Sequence, residues 1–501
     1  MTNNHVDVLI IGAGLSGIGA ACHLTKKCPD RSYLILERRE RIGGTWDLFK
    51  YPGIRSDSDM YTLGYSFRPW TEPKVLADGA SIRQYVEDTA EEYGVPKNIR
   101  FGRKVVNANW SSEKNVWTVT AENENGGDAE TYTCNFIFSC SGYYNYDQGY
   151  KPTFPGEKDF KGQVIHPQHW PEDLDYSGKK VVVIGSGATA VTLVPAMAKG
   201  GAKVTMLQRS PSYIATVPEV DPISVQMRRV LPEMGVYRLA RARNIALQRM
   251  VYKLSKERPK LMRRVLLMAA RQQLGKHFDM THFRPSYNPW DERLCAVPNG
   301  DLFKVLRNGD AEIVTDHIDT FVEDGIRLKS GKVLDADIII SATGLNLQLM
   351  GGVEATVDGE AVKPRDTMVY KGVLLRDIPN AGLIFGYTNS SWTLKADLSC
   401  DYVCRLLNHM KKTGATTVVP RDKDDSMLEG NFLDMQSGYI QRADGELPRQ
   451  GKKEPWRVVN NYLRDLPLMK YSAMDDGVLE FDNFVKKPKR RKLVGRLLGA
   501  N

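Results

Sequence analysis

Two short stretches, Gly12-Ala-Gly14-Leu-Ser16-Gly17 and Gly185-Ser186-Gly187-Ala-Thr189-Ala190, hold the residue types that can cradle a pyrophosphate. The first glycine of each permits a tight turn, and the second lets the backbone approach the phosphates. The third small residue, Gly17 or Ala190, allows a helix to pack closely on a strand. The ligand then lies at the positive end of that helix. Twenty residues after Gly17 stands Glu37, a carboxylate that accepts hydrogen bonds from ribose hydroxyls and repels a 2′-phosphate. The equivalent place in the second stretch holds Arg209 followed by Ser210, and a guanidinium there can grip a 2′-phosphate in a bidentate pair. The pattern predicts FAD at the first turn and NADPH at the second, with hydride passing from nicotinamide to flavin. A flavin that reduced disulfides would need a reactive cysteine pair, and none is visible; one that activates oxygen needs only a protected pocket.

The flanking sequence supplies the elements that would hold these turns. His5–Ile11 is an apolar, β-branched run that predicts a buried strand, followed after the turn by a small-residue helix to about Lys27 and a second strand, Tyr33–Leu36. Residues 100–142 read as a run of strands with a polar turn at 122–128, and a linker rich in Tyr, Gly and Pro follows at about 143–158. The pattern then restarts with a strand at Lys180–Ile184, a helix at 191–198 and a strand at 203–207. Leu, Met, Val and Arg at three-to-four-residue spacing make about 222–276 helical, as an insertion. Strands return at 312–340, and a further helix is expected at about 395–412. The expected fold class is α/β, with two Rossmann-like dinucleotide-binding domains and a helical insertion. The expected division is FAD domain 1–149 and 345–485, NADPH domain 150–214 and 290–344, helical insertion 215–289, and a basic tail 486–501.

With 501 residues the chain exceeds one hydrophobic core. No apolar run approaches the ~18 residues of a membrane span, and no export signal is read at the start. Seven scattered cysteines without a C-x-x-C pair argue against a disulfide framework, a zinc ribbon and a dithiol centre, which suits a reducing cytoplasm. The net charge of +9 is unevenly spread: seven positive charges lie in 486–496, and a second basic stretch runs over 228–276. Solvated helix and tail explain most of this. The blocks leave room for weak peripheral contact with an anionic membrane, and no nucleic-acid partner is expected.

Phe160-Lys-Gly162-Gln-Val-Ile-His166-Pro-Gln-His-Trp170-Pro171 and Gly43-Gly44-Thr45-Trp46-Asp-Leu-Phe-Lys-Tyr51-Pro52-Gly53-Ile-Arg55-Ser-Asp57 together fix more than a dozen positions. They resemble the signatures of type I Baeyer–Villiger monooxygenases. The segments 56–61, 141–146 and 287–291 look like the ethionamide-activating branch of that family. The resemblance covers about 1–484 and implies FAD- and NADPH-dependent use of O2. A ketone becomes an ester or lactone through a C4a-peroxyflavin, and sulfides or thioamides are oxygenated by the same species. The nearest alternative is an N- or S-hydroxylating flavin monooxygenase, in which Tyr usually replaces Trp170.

By resemblance Arg293 is the catalytic arginine, supplying the fixed positive charge that an anionic peroxide needs. Asp57 orients it and tunes the flavin site. Ser16, Thr45 and Val105 join Gly12, Gly14, Gly17 and Glu37 as FAD contacts, and Trp46 is read either as a further FAD contact over the flavin or as a core aromatic. Arg55 joins Gly185, Ser186, Gly187, Thr189, Ala190, Arg209 and Ser210 as NADP contacts. Phe160, Gly162, His166 and Trp170 mark a hinge between the two domains, with proton transfer by His166 the lesser reading. Cys295 is read as a packing residue, and no metal site is expected. One departure stands out: family members commonly carry Lys immediately before the catalytic arginine, where it grips the 2′-phosphate, and this chain has Glu292. Selectivity for NADPH is therefore expected to rest mainly on Arg209 and Ser210. The sequence leaves the physiological substrate and the oligomeric state open.

Overall fold

The structure is a computed structural model that describes residues 4–292, 294–433 and 438–482. Arg293 and the basic tail 486–501 lie outside the described residues. Two sheets organise the chain. In the first, His5–Ile11 is flanked in parallel by Tyr33–Leu36 and by Glu130–Ser139. Glu130–Ser139 continues antiparallel into Val116–Asn123 and then Arg103–Ser111. The second sheet is all parallel, in the order Ala311–Thr315, Lys203–Gln208, Lys180–Ile184, Ile338–Ser341, Gln163–Ile165. Its central strands are continuous apolar runs because both faces are covered; Val181 to Val183 and Ile338 to Ile340 are all buried.

The chain crosses between the sheets twice. It leaves the first after Ser139 and returns to it at Glu354–Val357, which pairs in parallel with Arg103–Ser111, and at Ala381–Leu383, which pairs with Glu130–Ser139. The two crossings are tied to each other. Tyr144 bridges Leu347, Asn145 N donates to Asn346 O at 2.9 Å, and Tyr150 N donates to Gly344 O at 3.1 Å.

The insertion consists of a short helix, Pro222–Met227, a long one, Glu233–Glu257, and a third, Pro259–Leu274. Pro259 occupies a first-turn position, where its missing N–H costs nothing, and so restarts the helix after the break at Arg258. The long helix does not simply float on the surface. Arg241 is buried (7% exposed) and donates to the carbonyls of Tyr61 and Gly64, both at 2.8 Å. Its guanidinium also lies 3.6 Å from the Asp397 carboxylate, which His23 Nε2 meets at 3.3 Å on the other side.

Asp397 sits in the helix Trp392–Thr413, and His23 in Leu15–Lys27, so three helices distant in sequence share one buried charge cluster. Burial alone would raise the Asp397 carboxyl, but the His23 hydrogen bond and the charges of His23 and Arg241 hold it below the ordinary value. Asp397→Asn leaves Arg241 buried without its counter-charge. It is expected to destabilise the protein by about 3–5 kcal/mol, read as a lower urea midpoint. Because the folded value is depressed, the wild-type contribution is complete at neutral pH. It fades as pH falls below the ordinary aspartate value toward the lowered one, so the gap between wild type and variant should narrow in acid.

Candidate functional site

Both glycine turns form as the sequence predicts, and for one geometric reason. Gly12 has φ +98°, and a Cβ there would lie 2.9 Å from the Cys140 carbonyl oxygen; Gly185 has φ +139°, and a Cβ would lie 2.5 Å from the Ala342 carbonyl oxygen. Each turn thus presses on the backbone just beyond the strand that pairs with its own, Glu130–Ser139 or Ile338–Ser341. Helices start directly after, at Leu15 and Ala188. The second glycines differ. Gly187 has nothing within 4 Å of its absent Cβ, so the space is free for a ligand, whereas Gly14 faces the Gly44 Cα at 3.4 Å. Gly14 is therefore small at least partly to admit the 43–44 backbone.

One cavity of about 970 Å³ runs from the first turn to the second. It brings together Gly12, Gly14, Ser16, Glu37, Thr45, Trp46, Asp57 and Val105 with Arg55, Gly185, Ser186, Gly187, Thr189, Arg209 and Ser210. Gly17 and Ala190 stand behind their turns, where they pack helix on strand. Phe160, Gly162, His166 and Trp170 do not line it.

Glu37 is 4% exposed, accepts from Ala13 N at 2.6 Å and Arg39 N at 2.8 Å, and is thereby fixed at the cavity edge. Burial raises its carboxyl above the usual range against those two bonds. Trp46 both lines the cavity and packs on the core beneath it. At the other end the Ser186 hydroxyl donates to Ser210 O at 3.0 Å, tying the turn to the strand end that carries Arg209. Glu292 lines the cavity as well. Its carboxyl is raised by burial, opposed by the nearby charge of Arg209. The acid that departs from the family pattern is thus set within electrostatic reach of the guanidinium expected to hold the phosphate.

The long motif 43–57 spans the two ends. Its glycines meet Gly14, while Leu48, Phe49 and Tyr51 join the core of the second sheet. Gly53 lies so close to the helix Ala188–Lys199 that a Cβ would meet Ala196 Cβ at 2.7 Å. Arg55 then makes a two-pronged pair with Asp301, at 2.6 and 3.3 Å, at the start of the helix Asp301–Asn308. Asp57 is exposed on the loop that follows.

His166 has both ring nitrogens engaged. Gln168 N donates to Nδ1 at 3.2 Å, so the proton is on Nε2, which meets Gly344 O at 3.1 Å. Burial lowers its basicity, with the Gly344 contact opposing. The ring clips the crossing at residue 344. Phe160 packs edge-on against Phe321, and Trp170 leans on the second core.

Sequence reasoning missed several cavity residues. Trp392 Nε1 donates to Ser16 Oγ at 2.7 Å, and its ring stacks on Tyr143 at 5.1 Å. Tyr387, whose hydroxyl donates to Asp465 at 2.7 Å, and Arg442, which lies 3.6 Å over the Tyr150 ring, complete this wall. Cys295 lines the cavity from the strand Cys295–Pro298, buried among packing residues. Among the described residues no cluster of His, Cys, Asp and Glu could hold a metal ion, and all seven cysteines are free thiols.

The sequence is 58% identical over 484 residues to MymA of Mycobacterium tuberculosis, an alignment that covers 96% of this chain and 98% of that protein. It is 54% identical over 479 residues to the FAD-containing monooxygenase EthA of the same organism, over 95% of this chain and 98% of that one. The fold matches a crystal structure of OTEMO in complex with FAD and NADP, with a TM-score of 0.69 and 23% identity over 83% of this chain and 86% of that chain. The model of the flavin-binding monooxygenase-like family matches residues 5–413. Two dinucleotide turns sharing one cavity, on this α/β fold, agree with those likenesses, and the chain belongs to the flavin-binding monooxygenase-like family as a flavoprotein monooxygenase.

Proposed function

We propose that the chain is a Baeyer–Villiger monooxygenase that uses FAD, NADPH and O2 to convert ketones to esters or lactones and also oxygenates sulfides and thioamides. The observation that carries this reading is the single cavity joining an acid-marked turn to a base-marked turn. The residues fit the two groups. Glu37, held by two amides, would offer a fixed acceptor to a ribose of FAD, and Ser16, Thr45 and Val105 in the cavity wall would contact that cofactor. The space at Gly187 would take a pyrophosphate, and Arg209 with Ser210 would hold a 2′-phosphate. When bound, FAD supplies oxygen activation and NADPH supplies the hydride. The chain's own part is to hold the two rings in register, to keep water out with the Trp392 and Tyr143 wall, and to place positive charge where negative charge develops. Arg293 is assigned that charge, with Asp57 as its orienting carboxylate. In the same proposal the FAD and NADPH domains have the boundaries expected from sequence. The enzyme works in the cytoplasm, and its basic segments touch a membrane peripherally.

The test is NADPH oxidation with a panel of linear, cyclic and aryl ketones and one sulfide, following ester by mass spectrometry and peroxide in parallel. Ester from at least one ketone is expected; sulfoxide alone would move the assignment to the N- and S-hydroxylating enzymes. Arg293→Ala should lose ester formation by ~10²–10³-fold while NADPH is still consumed and peroxide accumulates. Unimpaired ester yield from that variant rules out the arginine's role.

A further inference from the structure

The helical insertion buries Val236, Tyr237, Ala240, Met262 and Leu274 in the usual way, but part of its pattern is reversed. Its polar residues at three-to-four-residue spacing, Arg241, Asn244 and Gln248, turn inward, where Asn244 and Gln248 donate to the Asp59 carboxylate at 2.9 and 3.1 Å. A second apolar set turns outward: Leu239, Leu247 and Met250 on the long helix, and Leu261, Val265 and Met268 on the next. The same spacing that buries one face of a helix sets these along the opposite one. Of the thirteen large apolar side chains exposed among the described residues, ten fall within 220–268. Charge is concentrated in the same place. Residues 222–276 carry fourteen Lys and Arg against two Glu, a net +12 in a chain whose total is +9. Lys260, Arg264, Arg271 and Arg284 border a depression of about 410 Å³ that also contains Leu267 and Met268.

Exposed apolar side chains concentrated in one segment in this way mark an interaction surface, and the charge selects among occupants. Not all of that charge is at the surface, since Arg241 is buried against Asp397 and Arg243 and Lys256 pair with Asp221 and Asp291, but a second copy would still bring one basic face against another. A nucleic acid would satisfy the cations but not the apolar line. An anionic bilayer satisfies both, with apolar side chains at the acyl boundary and cations among headgroup phosphates. No helix among the described residues is long and apolar enough to cross a membrane, so the insertion would lie on the surface.

We propose that the helices Glu233–Glu257 and Pro259–Leu274 dock the protein on anionic phospholipid, with Met250, Leu261, Val265 and Met268 entering the interface. This deepens the peripheral contact proposed above and rests on it. It places the contact on the insertion and not on the tail, and it makes the contact partly apolar.

The experiment is co-sedimentation of the full-length, flavin-loaded protein with vesicles of phosphatidylglycerol and phosphatidylcholine, and with phosphatidylcholine alone. Two variants accompany the wild type: Leu261→Asp with Met268→Asp, and one with every Lys and Arg of 486–492 changed to Gln. Both altered side chains in the first are exposed, so its NADPH oxidation without vesicles should match wild type and report an intact fold. Wild type should sediment with the anionic vesicles only. The double Asp variant should partition about tenfold less, and the tail variant should retain most of its binding. Wild type that ignores anionic vesicles overturns both the contact and its placement. Binding that survives the double Asp change but disappears with the tail charges keeps the contact and overturns the placement. Loss of self-association by the double Asp variant in light scattering, with no vesicle binding by wild type, would identify a second copy as the occupant and overturn the proposal.

Discussion

Gly17→Ala is expected to give a protein that purifies without flavin. A Cβ at residue 17 would lie 1.8 Å from the Gly12 carbonyl oxygen, far inside any contact that real atoms make. The obstacle is backbone, not a side-chain tip that could swing away, so the helix Leu15–Lys27 must lift off the turn. Lifting it moves the N-terminal amides that would face the pyrophosphate and disturbs Ser16, on which Trp392 is hydrogen-bonded. The second turn provides the control. Ala190 occupies the matching position, fully buried and accommodated, and Ala190→Gly should cost only the roughly 0.5–1 kcal/mol of a helical glycine and leave NADPH use near wild type. Flavin absorbance per protein, with far-ultraviolet circular dichroism to check folding, reads the result. Stoichiometric flavin in Gly17→Ala would show that the first turn is not the flavin cradle.

Arg209→Ala and Glu292→Gln should move cofactor preference in opposite directions. Losing a charge-assisted contact of ~1.5–3 kcal/mol lowers the NADPH over NADH ratio of kcat/KM by about tenfold or more. Glu292 is near enough to Arg209 to feel its charge, and a 2′-phosphate brought to Arg209 would meet that carboxylate as well. Removing its charge should raise the ratio, and Glu292→Lys should raise it further. Burial raises the Glu292 carboxyl, so its charge, and with it the penalty on the phosphate, diminishes as pH falls. The wild-type ratio should therefore climb toward acid pH, and the Glu292→Gln ratio should lack that component. If Arg209→Ala leaves the ratio unchanged, the second turn does not select NADPH through this residue.

The two turns were legible because their demands are local. A strand such as Lys180–Ile184 is an unbroken apolar run after its first residue, and the glycine that follows must adopt positive φ where the next strand's end approaches. The motif 43–57 could be recognised but not explained from sequence. Only the fold shows that its glycines serve the first turn while Tyr51, Gly53 and Arg55 engage the second unit. Trp392 left no trace, since its role exists through Ser16, 376 residues away. The insertion misled in a different way. Its spacing correctly predicted helices, but periodicity cannot say which stripe faces in, and Arg241, counted with a solvated basic stretch, is a buried anchor. Asp301 was unreadable for the same reason as Trp392: its partner Arg55 is brought to it by the crossing of the chain.

The path of the chain also sets an order of assembly. A ribosome delivers the first glycine turn and Glu37 early, but the strands Glu354–Val357 and Ala381–Leu383 that complete their sheet, and Trp392 that closes on Ser16, emerge only after the entire second sheet. Strands Gln163–Ile165 to Ile338–Ser341 form one uninterrupted stretch and can fold as a unit when they appear. During synthesis the sheet of the second turn is thus finished while the sheet of the first turn still waits for its last strands. The turn that comes first in the chain is the second to have its sheet complete around it.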